Sequence, residues 1–259
     1  MVEIPRSHPR YWSLVLRERV VEAMRGGVVV PEGLIAHGRG ECFDYLLGEE
    51  TRGFALEAAR AAVALLLLAR RPVISVNGNA AALAARDLVR LADTVGAVLE
   101  VNLFYRSEER ARRIRDLLLA SGAREVVGVE DAVVPVPGLE HARGRVSPRG
   151  IAAADVVMVA LEDGDRTEAL RRWGKKVIAV DLNPLSRTAR AADVTIVDNI
   201  VRIVPRMVEM AGEMRTWPRG RLEAVVAGYD NRRVLAESLR FISRRLEGLA
   251  ASEGLLVGP

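Results

Sequence analysis

The sequence predicts an α/β fold: a doubly wound, mostly parallel, Rossmann-like sheet with an N-terminal helical appendage. Three observations carry this. Five or six short apolar segments alternate with helical patterns between Val73 and Met214, the rhythm of βαβ crossovers. The segments themselves, such as Val73–Val76 and Val177–Val180, are continuous apolar runs, as expected of strands covered on both faces. The first seventy residues show helical periodicity only. Residues 1–70 are therefore expected to form the appendage, and residues 71–259 the Rossmann-like nucleotide- and substrate-binding domain.

Taken in order, Ser7 to Arg25 reads as a helix with an apolar face on Trp12, Leu16, Val20 and Met24, ended by Gly26-Gly27. A short apolar segment, Val28 to Ile35, precedes His37-Gly38-Arg39-Gly40-Glu41. There two glycines allow close backbone approach and leave the Arg39 guanidinium projecting. Thr51 to Arg70 is apolar nearly all round, so it is a buried helix. Strand Val73–Val76 leads through Asn77-Gly78-Asn79 into a helix from Ala80 to Val95, whose amino end presents free N–H groups to an anion. Strand Val98–Val101, an arginine-rich helix over Ser107–Ser121 and a short strand over Glu125–Val129 follow.

The stretch from Val129 to Gly150 carries three prolines and three glycines, which argue against regular structure. Its His141, Arg143, Arg145 and Arg149 suit an anion-contacting loop. Strand Asp155–Ala160 and helix Arg166–Trp173 return the chain to its most informative segment, Lys176 to Ile200. There a strand ends in Asp181, Leu182 and Asn183. Pro184 fits a first helical turn, Ser186, Arg187 and Thr188 follow, and a second strand, Val194–Val197, ends at Asp198-Asn199. Ligands of open α/β sheets sit outside strand carboxyl ends. Two neighbouring ends carrying Asp, Asn, Arg and Thr together mark a candidate binding edge. Ile200 to Glu213 is helical, Thr216 to Gly220 turns, Asp230 to Gly248 forms the last helix, and Ala251 to Pro259 frays.

Composition narrows the function. Half the residues are hydrophobic and only 4% aromatic, so the core is built of Ala, Val, Leu and Ile. The single Cys42 excludes an intramolecular disulfide and fits a reducing cytoplasm. The amino-terminal residues lack an apolar signal region, and the longest apolar run, Ala61 to Ala69, is too short to span a bilayer. A net charge of +4 rests on arginines interleaved with acids, without a basic stripe or stacking aromatics, which speaks against nucleic acid. The only lysines, Lys175 and Lys176, open a strand at the end away from the ligand edge. A Schiff-base or P-loop lysine is therefore not expected, and arginines are the anion holders. Few amides and many charges suggest a thermophile. His8, His37 and His141 with one cysteine make no metal cluster, and no metal ligand can be named. His37 is a candidate acid/base group. The Gly78 turn has one glycine where G-x-G-x-x-G has three, with Glu100 at ribose-binding distance downstream. The residues alone indicate an α/β protein binding an anionic, nucleotide-like ligand at strand ends.

Four blocks extend this reading: HGRGECFDYLLGE, PVISVNGNAAAL, VDLNPLSRTARAADVTIVDNI and YDNRRVLAESL. In this order they resemble the archaeal phosphopantothenate synthetases, or 4-phosphopantoate–β-alanine ligases, over nearly the whole chain. The resemblance implies a cytoplasmic homodimeric ligase of coenzyme A biosynthesis. It would join (R)-4-phosphopantoate to β-alanine and split ATP, with Mg²⁺, to AMP and diphosphate through a phosphopantoyl adenylate. Carried over by position, Arg17, Arg39, Asp181, Leu182, Asn183, Arg187, Thr188, Asn199 and Ile200 would hold ATP, with Arg17 and Arg39 also stabilising the reacting phosphate. Asn77, Gly78, Asn79 and the loop arginine Arg145 are expected to hold the substrate phosphate. Two readings stand as alternatives: an NAD(P)-dependent oxidoreductase using Gly78 and Glu100, and a non-enzymatic nucleotide-binding regulator.

Overall fold

The computed structural model describes residues 4–139 and 144–252. His141 and Arg143 of the expected anion-contacting loop lie outside them, as does most of the segment expected to fray. The chain opens with three helices, α1 (Tyr11–Arg25), α2 (Pro31–Leu47) and α3 (Gly53–Leu68). Strand β1 (Pro72–Val76), helix α4 (Gly78–Val95), strand β2 (Val98–Val101) and helix α5 (Glu108–Ala120) follow. A small hairpin pairs β3 (Val134–Pro135) with β4 (Arg145–Val146). Then come β5 (Val156–Ala160), α6 (Gly164–Arg172), β6 (Lys176–Val180), α7 (Arg187–Ala191), β7 (Val194–Ile196), α8 (Ile200–Met214), α9 (Arg219–Ala227) and α10 (Asn231–Ala251).

The main sheet has five strands in the order β2-β1-β5-β6-β7, all parallel. This is the doubly wound α/β arrangement, and the strand order reverses between β1 and β5. Alternate residues feed opposite faces, as the strand period requires. Ile74, Met158 and Ile178 enter the larger core with α3, α4 and α8. Val73, Val157 and Val177 face a smaller core closed by Ala169 and Leu170 of α6. The first helices share the larger core: Phe54, Ala58 and Leu66 lie in one buried cluster with Ile74. Among the described residues, no helix is long and apolar enough to cross a membrane.

Several local expectations are corrected. Glu125–Val129 is not a strand; only an isolated bridge joins Val127 to Glu100. The Val129–Gly150 loop contains the β3–β4 hairpin despite its prolines, because Pro135 sits on a short ribbon where few backbone donors are needed. The apolar segment expected over Val28 to Ile35 is not separate from His37-Gly38-Arg39-Gly40: a helix begins at Pro31, a favoured first-turn position, and runs through both. Helix α9 follows a shorter turn than the one expected over Thr216–Gly220.

Candidate active site

Two cavities open side by side at the carboxyl edge of the sheet. The first, about 630 Å³, lies among the start of α1, the flank of α2 and the amino end of α8. The second, about 520 Å³, lies over the ends of β1, β5 and β6. Ala36, Gly40, Leu161 and Leu182 line both. Helix α2 crosses the sheet edge there, and Gly40 comes close enough that an added Cβ would stand 3.6 Å from the Leu182 side chain. Leu161, next after β5, has φ 54°, an uncommon conformation for a branched residue. It is held at the point where the strand order reverses.

The sequence around β6 shapes the wall of the second cavity. Asp181 ends the strand, and its carboxylate accepts the Asn183 N–H at 2.9 Å and the Ser186 hydroxyl at 2.5 Å. Burial pushes the Asp181 carboxyl up, against those hydrogen bonds and the nearby Arg39. Ser186 caps α7 through the Ala189 N–H, and the Thr188 hydroxyl donates to the Glu162 carbonyl at 2.6 Å. Arg187 lines the cavity while its guanidinium forks onto Glu168 at 3.0 and 3.2 Å. Gly164 makes this packing possible: a Cβ there would stand 2.3 Å from that of Arg187.

On the other wall, Asn77 caps α4 by accepting the Ala80 N–H at 3.0 Å. Its amide donates to the Ala160 carbonyl at 2.8 Å, tying β1 to β5 across the reversal point. Asn79 is buried and donates to the Gly33 carbonyl at 2.8 Å. Both side chains are thus committed to the scaffold, and the turn offers a ligand the free backbone N–H groups of a helix amino end. Gly78 is required by close approach, since a Cβ would meet the Val28 carbonyl oxygen at 2.4 Å.

The first cavity is ringed by charge. Glu41 accepts from Arg17 at 2.7 to 3.0 Å and from the Tyr45 hydroxyl at 2.6 Å. Burial would raise the Glu41 carboxyl, but these bonds hold it below the usual range. One turn earlier, burial pushes the His37 imidazole down, and its Nε2 is buried without a hydrogen-bond partner among the described residues. At the start of α8, Asn199 caps the helix and donates to Asp44 at 2.8 Å. Arg202 bridges Asp44 and Asp198, and Asp198 also takes the Thr51 hydroxyl at 2.7 Å.

The structure thus gathers most of the expected residues. Arg39, Asp181, Leu182, Asn183, Arg187 and Thr188 line the second cavity with Asn77, Gly78 and Asn79. Leu182, Asn199 and Ile200 line the first. Arg17 lines neither cavity and stands behind Glu41. Arg145 is exposed on the β3–β4 hairpin and lines neither cavity. Sequence reasoning missed Arg110, Arg202 and Gly164. Arg110 and Arg202 read as ordinary arginines of helix faces, and only long-range packing brings them to the site. Glu100 is a correction. It has no exposed surface, and its two carboxylate oxygens accept the N–H groups of Ser147 and Ile151 at 3.1 and 2.6 Å. It clamps the loop before β5 and leaves no oxygen for a ribose. Lys175, as expected, works at the far end of the sheet, donating to the Ala152 and Ala154 carbonyls.

Among the described residues, no three His, Cys, Asp or Glu side chains are arranged to hold a metal ion. Glu162 and Asp163 line the second cavity. That donor set suits Mg²⁺ held largely by phosphate oxygens and water, with one or two carboxylates, rather than an all-protein cage.

Residues 54–245 match the family model described as phosphopantothenate/pantothenate synthetase. The chain is 56% identical to a 4-phosphopantoate–β-alanine ligase of Thermococcus kodakarensis, over 98% of this chain and 97% of the relative. It is 55% identical to the ligase so named from Thermococcus onnurineus, over 96% of each chain. A third relative so named, from Methanosarcina mazei, is 51% identical over 98% of this chain and 100% of its own.

Proposed function

The chain belongs to the phosphopantothenate/pantothenate synthetase family, and from that premise we propose that it condenses (R)-4-phosphopantoate with β-alanine at the expense of ATP. The observation that carries this reading is the pair of adjoining cavities sharing Ala36, Gly40, Leu161 and Leu182. A ligase must bring an anionic nucleotide and an anionic acid together with their reacting atoms in contact. Two adjoining cavities with one common wall, each carrying charged side chains, supply that arrangement, and a dinucleotide site built on Glu100 does not.

The nucleotide lies across the ends of β6 and β7. Asp181 and Asn183 hold the nucleoside, with Arg187 and Thr188 beside it, Leu182 beneath it and Asn199 and Ile200 at the amino end of α8. Arg39, exposed and lining the second cavity, meets phosphate oxygens. Arg17 keeps Glu41 and Tyr45 in place and presents its remaining donors from behind them. The acid's phosphate lies by the Asn77-Gly78-Asn79 turn.

A carboxylate is a poor acyl donor because its oxygen is a poor leaving group. Its oxygen attacks the α-phosphorus of ATP, an O–P bond forms, the bond to the β-phosphate bridge breaks and diphosphate leaves. The β-alanine amine then attacks the acyl carbon. The C–N bond forms, the C–O bond to phosphorus breaks, AMP departs with that oxygen and the nitrogen loses a proton. Glu162 and Asp163 would hold Mg²⁺ at the second cavity, where it would supply charge neutralisation for the phosphates. The protein's part is positioning and electrostatic stabilisation, which needs no enzyme nucleophile. A homodimeric, cytoplasmic enzyme of coenzyme A biosynthesis is the corresponding expectation.

Mass detection of 4'-phosphopantothenate from the two acids and ATP tests this. Product should require all three substrates, and Asp181→Ala should raise the KM for ATP. Product formed without ATP, or an Asp181→Ala enzyme with unaltered ATP dependence, would count against it.

A further inference from the structure

We infer that Arg110 is the residue that makes this site select the phosphorylated acid over its dephosphorylated counterpart. The inference rests on the ligase reading above and deepens it. Arg110 lines the second cavity on the wall opposite the expected nucleotide residues. Its guanidinium is fixed by neutral groups: Nε donates to the Val28 carbonyl at 2.9 Å and Nη1 to the Tyr105 carbonyl at 2.7 Å. Nη2 lies 3.0 Å from where a Gly78 Cβ would stand, at the amino end of α4. Of the five N–H groups of an arginine, two are spent on the scaffold, and Nη2 keeps both of its own.

Charge makes the placement informative. Among the described residues, Arg110 is in ion-pair contact with no carboxylate, whereas Arg17, Arg187 and Arg202 each are. Glu32, on the same cavity wall, acts on it only from farther away. A half-buried guanidinium held rigid by carbonyls and lacking a counter-ion is ready for an anion brought by a ligand. A phosphate at this turn meets the Arg110 guanidinium together with the backbone N–H groups of Gly78 and Asn79. A hydroxyl in place of that phosphate would leave Arg110 uncompensated. Binding would then lose more than one hydrogen bond, and the penalty would fall on the unphosphorylated acid.

The test compares 4-phosphopantoate with pantoate, the latter read by turnover or by its inhibition of the phosphopantoate reaction, in wild type, Arg110→Met and Arg110→Lys. Arg110→Met should lower kcat/KM for 4-phosphopantoate by roughly 10- to 100-fold. The response to pantoate should change less than about threefold and the KM for ATP should hold, so that the preference collapses. Arg110→Lys, keeping the charge without the fork, should recover part of that preference. Equal losses with both acids would assign Arg110 a purely structural role and overturn the inference, as would an unchanged preference. If Arg110→Met does not fold, the smaller loss of preference in Arg110→Lys decides the question in the same way. A wild type that uses neither acid would overturn the ligase reading and this inference together.

Discussion

A Glu100→Gln substitution should remove one pH-dependent part of the stability, the part that falls as pH rises. Glu100 has no exposed surface, and burial pushes its carboxyl up to about 7 despite the Ser147 and Ile151 hydrogen bonds that favour ionisation. An unstructured glutamate ionises near about 4.3. Between about pH 4.3 and about pH 7, the folded chain holds a proton that the unfolded chain has released, so stability falls as pH rises. At about 1.4 kcal/mol per pH unit, the whole interval is worth about 3 to 4 kcal/mol. Glutamine does not titrate, so the difference between wild type and variant isolates this group. The amide can accept only one of the two N–H groups, which costs the variant about 1 to 3 kcal/mol at every pH and adds a constant offset. Urea unfolding followed by circular dichroism over a pH series from about 4 to about 8.5 measures the difference. The wild type's relative stability should drop by about 3 kcal/mol up to about pH 7 and then level. A difference that stays flat, or grows with pH, would refute the reasoning and mean that the two backbone donors outweigh burial.

Other substitutions separate scaffold from site. Asp198→Asn removes one of the two carboxylates that hold the half-buried Arg202 and should cost about 3 kcal/mol in the same unfolding assay. Arg39→Ala, exposed and without a carboxylate partner among the described residues, should shift stability by no more than about 0.5 kcal/mol while raising the KM for ATP. Gly164→Ala places a Cβ 2.3 Å from that of Arg187. It should raise the KM for ATP by roughly tenfold with little change for 4-phosphopantoate, the cost of moving Arg187 and Thr188 by a fraction of an ångström; an unchanged KM for ATP would place the nucleotide elsewhere.

The parallel sheet was legible because its strands are unbroken apolar runs with polar ends, and that pattern survives in Val157–Ala160 and Val177–Val180 without any knowledge of neighbours. The β6 edge was legible for the same reason: Asp181, Asn183 and Thr188 act within a few residues of the strand that positions them. Arg110 and Arg202 were not, since each is an arginine on a helix face until Val28 and Tyr105, or Asp44 and Asp198, are brought to it from far along the chain. Glu100 was misread because its spacing from Gly78 suits a ribose ligand. Its real partners, Ser147 and Ile151, are about fifty residues downstream. The helix through Gly38 and Gly40 was hidden by its glycines, whose low helix propensity is outweighed by packing of α2 over the sheet edge.

In the proposed reaction, two adjoining cavities join an acid to an amine through an adenylate. The most direct test is a nucleotide assay that separates AMP from ADP during turnover with 4-phosphopantoate and β-alanine. AMP and diphosphate should form in step with 4'-phosphopantothenate, and neither should form when 4-phosphopantoate is withheld. ADP and phosphate as the nucleotide products would contradict the adenylate, placing the acyl group on phosphate instead.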